Sequence, residues 1–248
     1  MVPIVLVPGL LCSAEVFLPQ VAALWPFGPV TVASTLEGDS MAAIAAAILR
    51  DAPPRFALAG ISMGGYLSFE ILRQAPERVL RLALLDTSAR PDAPEQSERR
   101  RALLHRARTE DFATLLAEVS ALLFHPSRAQ DPLLRDLTVR MGLSVGIEGF
   151  ARQTEALITR PDSRPMLGGI RVPTLVLVGD SDTMTPPEHA AEIAAAVPGA
   201  RLVMVSRCGH GSTWEQPGEV NRALCEWLSA GSGWHPTQVS APAPPAAG

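Results

Sequence analysis

Six short apolar segments recur along the chain, and longer amphipathic stretches separate them. The segments are continuous runs of Val, Ile and Leu, which is typical of strands buried on both faces of a parallel sheet. They cover residues 2–7, 30–35, 56–61, 79–85, 174–178 and 201–205. Helical periodicity falls at residues 41–50, 64–75, 187–196 and 219–228. This alternation predicts an α/β fold, a mostly parallel sheet of about six strands with helices on both faces.

The interval from residue 88 to residue 169 breaks the alternation. It contains no convincing strand, but helix-like stretches such as SERRRALLHRA and EDFATLLAEVSALLF recur between prolines. We therefore predict an α/β core made of residues 1–87 and 170–231, with a helical cap inserted at 88–169. Residues 232–248 are rich in Pro, Ala and Ser and offer little apolar surface, so we expect a flexible tail there.

Composition and charge favour small-molecule chemistry. The 248 residues are 47% hydrophobic and 19% charged, which suits one large globular domain with a sizeable core. The net charge of −4 gives no electrostatic reason to expect nucleic acid or an anionic membrane as a partner. All 21 basic residues are arginines, which removes a Schiff-base lysine and the lysine of a phosphate-binding P-loop.

The amino terminus and the cysteines bear on the location of the protein. The opening MVPIVLVPG lacks the charged and apolar regions of a secretory signal, and no apolar run reaches the ~20 residues of a membrane span. The three cysteines, Cys12, Cys208 and Cys225, lack zinc-ligand spacing. We expect a cytoplasmic protein with a small-molecule substrate and no metal or other cofactor, and its oligomeric state stays open.

A lone hydroxyl, that of Ser62, stands between small residues in RFALAGISMGGYLSFE, at a predicted strand-to-helix junction. A Gly-x-Ser-x-Gly turn of this kind pushes the serine hydroxyl out of the sheet and places a helix N-terminus beneath any developing negative charge. The alternative is an ordinary Gly-rich turn. We predict that Ser62 is a nucleophile and that the backbone N–H of Met63 is the first donor to its oxyanion.

A nucleophilic serine needs a general base and an acid that orients the base. The candidates for the base are His105, His125, His189, His210 and His235. His210 differs from the others because it is predicted in a loop directly after the last strand, at the carboxyl edge of the sheet. The acid candidates are Asp180 and Asp182 after the fifth strand and Asp86 after the fourth.

These residues, with the motifs VPGLL, GISMGG, GDSDTMTPP and GHGSTWEQP, resemble the α/β-hydrolase superfamily, and small serine carboxylesterases and enol-lactonases in particular. The resemblance covers nearly the whole chain except the tail. It implies that Asp182, in a Gly-x-x-Asp-x-x-x-Pro pattern, is the acid and that His210, in a Gly-His-x-x-x-x-Glu-x-Pro pattern, is the base. It also implies that the N–H of Leu10 is the second oxyanion donor.

The sequence departs from the family pattern in two places. Relatives carry a His-Gly pair where this chain has Pro8-Gly9, so the hydrogen bonds of that histidine are absent here. The chain also begins at what would be the third strand of the family, which again predicts a six-stranded sheet.

The resemblance implies that dehalogenases and epoxide hydrolases of this superfamily carry an aspartate at the strand-to-helix turn. This chain has Ser62 at that position, so these two classes are excluded. We expect a serine hydrolase that cleaves carboxylic esters of small to medium acyl substrates through an acyl-enzyme intermediate. A lactonase or thioesterase using the same triad is the alternative. A non-catalytic receptor for a small ligand is an alternative of a different class.

The cap is expected to limit the size of the substrate. We expect it to present apolar residues such as Phe124, Met141 or Leu143 to the site, with no cationic pair, and so to favour uncharged acyl groups. The arginine run at 99–101 is typical of a solvated helix face, and we assign it no function.

Overall fold

The computed structural model describes residues 1–230 and places the strands in one parallel sheet. The strands are β1 (Ile4–Val7), β2 (Val30–Val32), β3 (Phe56–Ile61), β4 (Val79–Leu85), β5 (Thr174–Gly179) and β6 (Arg201–Val205). Their order in the sheet is β2-β1-β3-β4-β5-β6, and every neighbouring pair is parallel. The predicted fold class is confirmed. The expected tail at 232–248 lies outside the described residues.

Helices connect the strands. In chain order they are α1 (Leu18–Leu24), α2 (Met41–Asp51), α3 (Met63–Gln74), α4 (Pro94–Thr109), α5 (Phe112–Leu123), α6 (Pro132–Ile158), α7 (Arg164–Leu167), α8 (Pro187–Ala196), α9 (Ser212–Glu215) and α10 (Pro217–Ser229). Helices α4 to α7 lie in the interval assigned to a cap, and the division of the chain into core and cap stays a prediction. No helix within residues 1–230 is long and apolar enough to cross a membrane.

The sheet is apolar on both faces because each face is covered by helices. Val5 and Val7 of β1 belong to one buried cluster with apolar residues of α2, α3 and α8. Ile4 and Leu6 belong to a second cluster, with α1 and α10, that includes the fully buried Trp227. Burying a large apolar side chain stabilises the fold by roughly 1.5–3 kcal/mol. Burial on both sides explains why the strands are continuous apolar runs in the sequence.

The strand register brings the candidate site residues to one edge of the sheet. Ile61 pairs with Leu85, Leu85 pairs with Leu177, and Gly179 pairs with Val205. All strands run in the same direction, so the loops after β3, β4, β5 and β6 leave the sheet side by side. This carboxyl edge is where open parallel sheets bind ligands.

Candidate active site

Ser62 lies between β3 and α3 in a left-handed backbone conformation, with φ 54° and ψ −116°. Its N–H donates to the carbonyl of Leu85 at 2.9 Å. Its own carbonyl accepts from the N–H of Gly65 at 2.9 Å and from the hydroxyl of Thr87 at 2.8 Å. The end of β4, the loop after it and the first turn of α3 therefore hold Ser62 in a conformation that costs a non-glycine residue roughly 1–3 kcal/mol.

The structure brings Ser62, His210 and Asp182 into one chain of hydrogen bonds. The Oγ of Ser62 lies 2.9 Å from Nε2 of His210, and Nδ1 of the same ring lies 2.8 Å from Oδ2 of Asp182. An ionised carboxylate only accepts hydrogen bonds, so Nδ1 carries the proton and leaves Nε2 free to accept from the serine hydroxyl. This is the geometry of a nucleophile, a base and an orienting acid.

Asp182 is itself held rigidly. It is 2% exposed, and its Oδ1 accepts from the backbone N–H groups of Met184 and Thr185 at 2.8 and 2.9 Å. The hydroxyl of Thr185 donates to Oδ2 at 2.8 Å and also lies 3.3 Å from Nδ1 of His210. Thr185 is therefore a part of the site that sequence reasoning missed. Its only signal was its position inside the motif that contains Asp182.

The two ionisable partners shift each other's pKa in opposite directions. Burial opposes protonation of the His210 ring, but the charge of Asp182 and its hydrogen bond outweigh burial and raise the histidine pKa. Burial likewise opposes ionisation of Asp182, but His210 and the hydrogen bonds of Thr185 lower the carboxyl pKa below its ordinary value. The pair therefore favours an ionised acid that stabilises the imidazolium formed when the base takes a proton.

The other candidates lie elsewhere. Asp180 is exposed, and its carboxylate accepts from the backbone N–H groups of Arg207 and Cys208. His105 is exposed on α4, Nδ1 of His125 contacts the hydroxyl of Ser127, and His189 lies on α8. His235 lies outside the described residues. Within residues 1–230, no group of His, Cys, Asp and Glu side chains is arranged to hold a metal ion.

Asp86 is close to the site but is committed to other partners. Its Oδ1 accepts from the N–H of Gly179 at 3.0 Å, and its Oδ2 accepts from the hydroxyl of Ser212 at 2.5 Å. The carboxyl group is fully buried, and burial together with the charge of Asp182 raises its pKa to about 7. Asp86 therefore links the end of β5 to the loop that carries His210, and it does not contact the ring.

The predicted oxyanion donors lie on either side of Ser62. A Cβ at Gly9 would lie 3.3 Å from Cβ of Ser62, and one at Gly64 would lie 2.0 Å from the carbonyl oxygen of Val7. The loop after β1 and the start of α3 can approach this closely because both positions are glycine. Within residues 1–230, neither the N–H of Leu10 nor that of Met63 donates to a protein acceptor. Both donors are therefore free for an oxyanion.

The inserted helices contact the loop of Leu10. Gln153 of α6 is fully buried, and its Oε1 accepts from the N–H of Leu11 at 3.0 Å. Its Nε2 donates to the hydroxyl of Thr35 at 3.0 Å. Leu10 and Leu11 also pack against a buried cluster that includes Phe150. Gln153 thus holds the loop of Leu10, and the only sequence signal was a polar residue within GFARQTEALI.

The insertion also contacts the loop of His210. The backbone N–H of His210 donates to the carbonyl of Leu123 at 2.6 Å. The buried carboxylate of Glu215 accepts from the N–H of Gly209 and from the N–H of His125, both at 2.7 Å. Glu215 therefore ties the loop of His210 to the segment after α5.

The expectation of a purely apolar cap is wrong in part. Phe124 packs against Gly211, and Met141 is buried in the same cluster as Trp227. Leu143 is 50% exposed and therefore does not face a closed site. Arg99 and Arg100 line a cavity beside the loop of Asp182, so cationic residues do reach this region.

Comparison with known proteins decides the family. A family model of the alpha/beta hydrolase fold matches residues 36–217, more than half of the chain. The chain belongs to the α/β hydrolase fold family. In this chain Ser62 follows β3, Asp182 follows β5 and His210 follows β6, and their catalytic roles stay a prediction.

Several proteins named for a hydrolytic activity are similar to this α/β hydrolase in sequence or structure. A thermophilic esterase from Thermogutta terrifontis is 30% identical, with a TM-score of 0.81 over 92% of this chain and 89% of that one. The enol-lactonase from Burkholderia xenovorans LB400 is 27% identical, with a TM-score of 0.81 over 92% and 91%. A 2-hydroxy-6-oxo-6-phenylhexa-2,4-dienoate hydrolase from Comamonas testosteroni is 27% identical over 69% of this chain, a match that spans about 62% of that protein's length.

We predict that Asp182→Asn removes far more activity than Asp180→Asn. An amide at position 182 favours the wrong tautomer of His210, and the same change in a serine protease costs about 10⁴-fold in kcat. Asp180→Asn is the matched control because its carboxylate contacts only loop groups. The measurement is kcat/KM on a 4-nitrophenyl ester for both purified variants. The reverse ranking would assign the orienting role to Asp180.

We also predict that Asp86→Asn changes the pH dependence of stability. An amide can retain hydrogen bonds to Gly179 and Ser212 while removing a carboxylate whose pKa is raised by burial to about 7. Such a group destabilises the fold increasingly as pH rises from its unfolded pKa near 3.8 to its folded pKa. The variant should therefore become more stable relative to the wild type between about pH 4 and 7. The difference between their free energies of unfolding should grow by on the order of 4 kcal/mol and stay constant above that range.

Urea unfolding across this pH range measures the effect of Asp86→Asn. Asp39→Asn removes one exposed carboxylate and serves as its control. A difference between variant and wild type that stays constant from pH 4 to pH 8 would contradict the raised pKa of Asp86.

Proposed function

We propose that this protein is a serine hydrolase that cleaves carboxylic esters of small to medium acyl substrates through an acyl-enzyme intermediate. The observation that carries the proposal is the continuous hydrogen-bond chain from Ser62 through His210 to Asp182. The two unpartnered N–H groups of Leu10 and Met63 complete the set of groups that acyl transfer needs.

In the proposed first step, Nε2 of His210 takes the proton of Ser62 as Oγ attacks the acyl carbonyl. The carbonyl oxygen becomes an oxyanion and accepts from the N–H groups of Leu10 and Met63, at the N-terminus of α3. The imidazolium is stabilised by Asp182, and it then gives the proton to the leaving alcohol as the carbon–oxygen bond breaks.

The second step repeats the first with water as the nucleophile. His210 takes a proton from water, the hydroxide attacks the acyl-enzyme, and the returned proton releases Ser62 and the carboxylic acid. Every proton in this cycle moves through Nε2 of His210. Activity should therefore be lost as pH falls through the pKa of His210, which its pairing with Asp182 raises.

Relatives support acyl chemistry more broadly than ester hydrolysis alone. The esterase and the enol-lactonase both superimpose on more than nine-tenths of this chain. Opening of a lactone uses the same attack on an acyl carbonyl, so lactone hydrolysis is the second candidate. The carbon–carbon hydrolase among the relatives matches a smaller part of the chain.

If this proposal is right, Ser62→Ala abolishes ester hydrolysis while the fold persists. Loss of the nucleophile in a serine protease triad costs about 10⁶-fold in kcat. A fluorophosphonate should label Ser62 in the wild type, and mass spectrometry of the peptides locates the adduct. Ser229→Ala, at the exposed end of α10, should leave labelling unchanged. An adduct on another serine, or retention of a tenth of the activity by Ser62→Ala, would contradict the assignment.

The proposal also predicts how the rate of hydrolysis depends on the length of the acyl chain. The insertion contacts the loops of Leu10 and His210, so we expect it to limit the volume available to the substrate. Nitrophenyl esters with acyl chains of about two to eight carbons should be hydrolysed faster than those of about fourteen or more. A rate that rises through the long chains would indicate a lipase. Rapid opening of lactones without ester hydrolysis would favour the second candidate, and binding without any turnover would favour a receptor.

A further inference from the structure

A cavity of about 490 Å³ lies between the start of α4, the first turn of α3 and the loop after Asp182. Its walls include Tyr66, Ser88, Arg99, Arg100, Thr185 and His189. Among the described residues that line it, neither Ser62 nor His210 occurs. The cavity thus adjoins the proposed catalytic groups and shares with them only the loop of Thr185.

Two arginines on the cavity wall share a single carboxylate. The side chain of Asp92 is fully buried and accepts from Nε and Nη2 of Arg100 at 2.7 and 3.3 Å. It also pairs with the buried guanidinium of Arg160, which lies 4.3 Å from the centre of the Tyr66 ring. One carboxylate against two guanidinium groups leaves one positive charge uncompensated.

The remaining charges on the walls do not cancel this excess. Arg90 is neutralised by Glu192, at 2.9 Å. Arg99 makes no hydrogen bond or ion pair within residues 1–230. Glu95 also lines the cavity and contributes one negative charge. Four arginines therefore face three carboxylates, and positive charge is in excess. Arginine forks bind carboxylates through paired hydrogen bonds.

His189 adds an unused hydrogen-bonding atom. Its Nδ1 is buried and has no partner among the described residues, although its residue lines the cavity. Burial and the charge of Arg90 lower the pKa of its ring, so the imidazole is neutral and one nitrogen donates. Buried polar atoms in proteins nearly always have a partner, and within residues 1–230 this nitrogen has none.

We propose that this cavity binds a small organic carboxylate, with Arg99 and Arg100 as its cationic donors and His189 on its wall. The carboxylate comes either from an arm of the substrate or from a separate small acid that modulates the enzyme. The first source rests on the proposed hydrolase function. In both cases the bound group lies beside Thr185, whose hydroxyl contacts Asp182 and the ring of His210.

Binding is tested first without catalysis. The Ser62→Ala protein is titrated by calorimetry with acetate, benzoate and adipate, and with adipamide as the uncharged analogue of adipate. At least one carboxylate should bind and adipamide should not. Arg99→Gln should weaken binding about tenfold, the usual loss for one charge-assisted hydrogen bond. Arg101→Gln, on the exposed face of the same helix, is the control and should bind like its parent.

The source of the carboxylate is tested with a matched pair of esters. Mono-4-nitrophenyl adipate and 4-nitrophenyl hexanoate have six-carbon acyl chains that differ in one terminal carboxylate. If the substrate supplies the carboxylate, Arg99→Gln lowers the ratio of their kcat/KM values about tenfold. If a separate acid is bound, free adipate changes the rate on the hexanoate ester in the wild type, and this change disappears in Arg99→Gln.

Two results would overturn the proposal. One is the absence of binding by all three carboxylates in the calorimeter. The other is equal binding by the Arg99→Gln and Arg101→Gln proteins, with Arg100→Gln, checked for its melting temperature, also unchanged. Calorimetry on Ser62→Ala does not depend on turnover, so failure of ester hydrolysis and failure of the anion site are separate outcomes.

Discussion

The left-handed backbone at Ser62 is the constraint on which the arrangement of the site depends. A φ of 54° turns the chain sharply from β3 into α3, so the serine side chain leaves the sheet edge and the first helical N–H groups lie beneath it. The neighbouring strand supplies the compensating hydrogen bonds through Leu85 and Thr87. A tight turn also forces α3 against β1, which only glycine at position 64 allows.

His210, the proposed base, is positioned by contacts that come from the inserted helices as well as from the sheet. The carboxylate of Glu215 accepts hydrogen bonds from the N–H groups of Gly209 and His125. The N–H of His210 donates to the carbonyl of Leu123. Movement of the segment after α5 would therefore disturb the ring of His210 directly. The same insertion holds the loop of Leu10 through Gln153. The loops carrying His210 and Leu10 are thus both coupled to the inserted helices.

The sequence was sufficient for the features that depend on local pattern. The bounds of β3, β4 and β6 follow from continuous apolar runs, and the elbow at Ser62 follows from glycines at a strand-to-helix junction. Choosing Asp182 over Asp180 and Asp86 required a family pattern, because all three carboxylates follow strands. The roles of Thr185 and Gln153 could not be predicted, because they depend on contacts between distant segments.

The same limit applies to charge. In the sequence, the arginines from 99 to 101 look alike, and a solvated face is the ordinary interpretation of such a run. In the structure the helix separates them: Arg101 is exposed, whereas Arg100 turns toward the buried Asp92. Only the tertiary fold shows that Arg160, sixty residues later, competes for that carboxylate.

Two buried aspartates lie near His210, and they differ in their hydrogen-bond partners. Asp86 accepts from the N–H of Gly179 and from the hydroxyl of Ser212, and within residues 1–230 it makes no hydrogen bond to the ring. Asp182 also receives hydrogen bonds, yet its Oδ2 still lies 2.8 Å from Nδ1 of His210. Burial penalises ionisation of both groups, but Asp182 has the imidazole as a partner, and its pKa falls while that of Asp86 rises. Access to the ring, more than closeness in the sequence or depth of burial, therefore decides which aspartate can act as the acid.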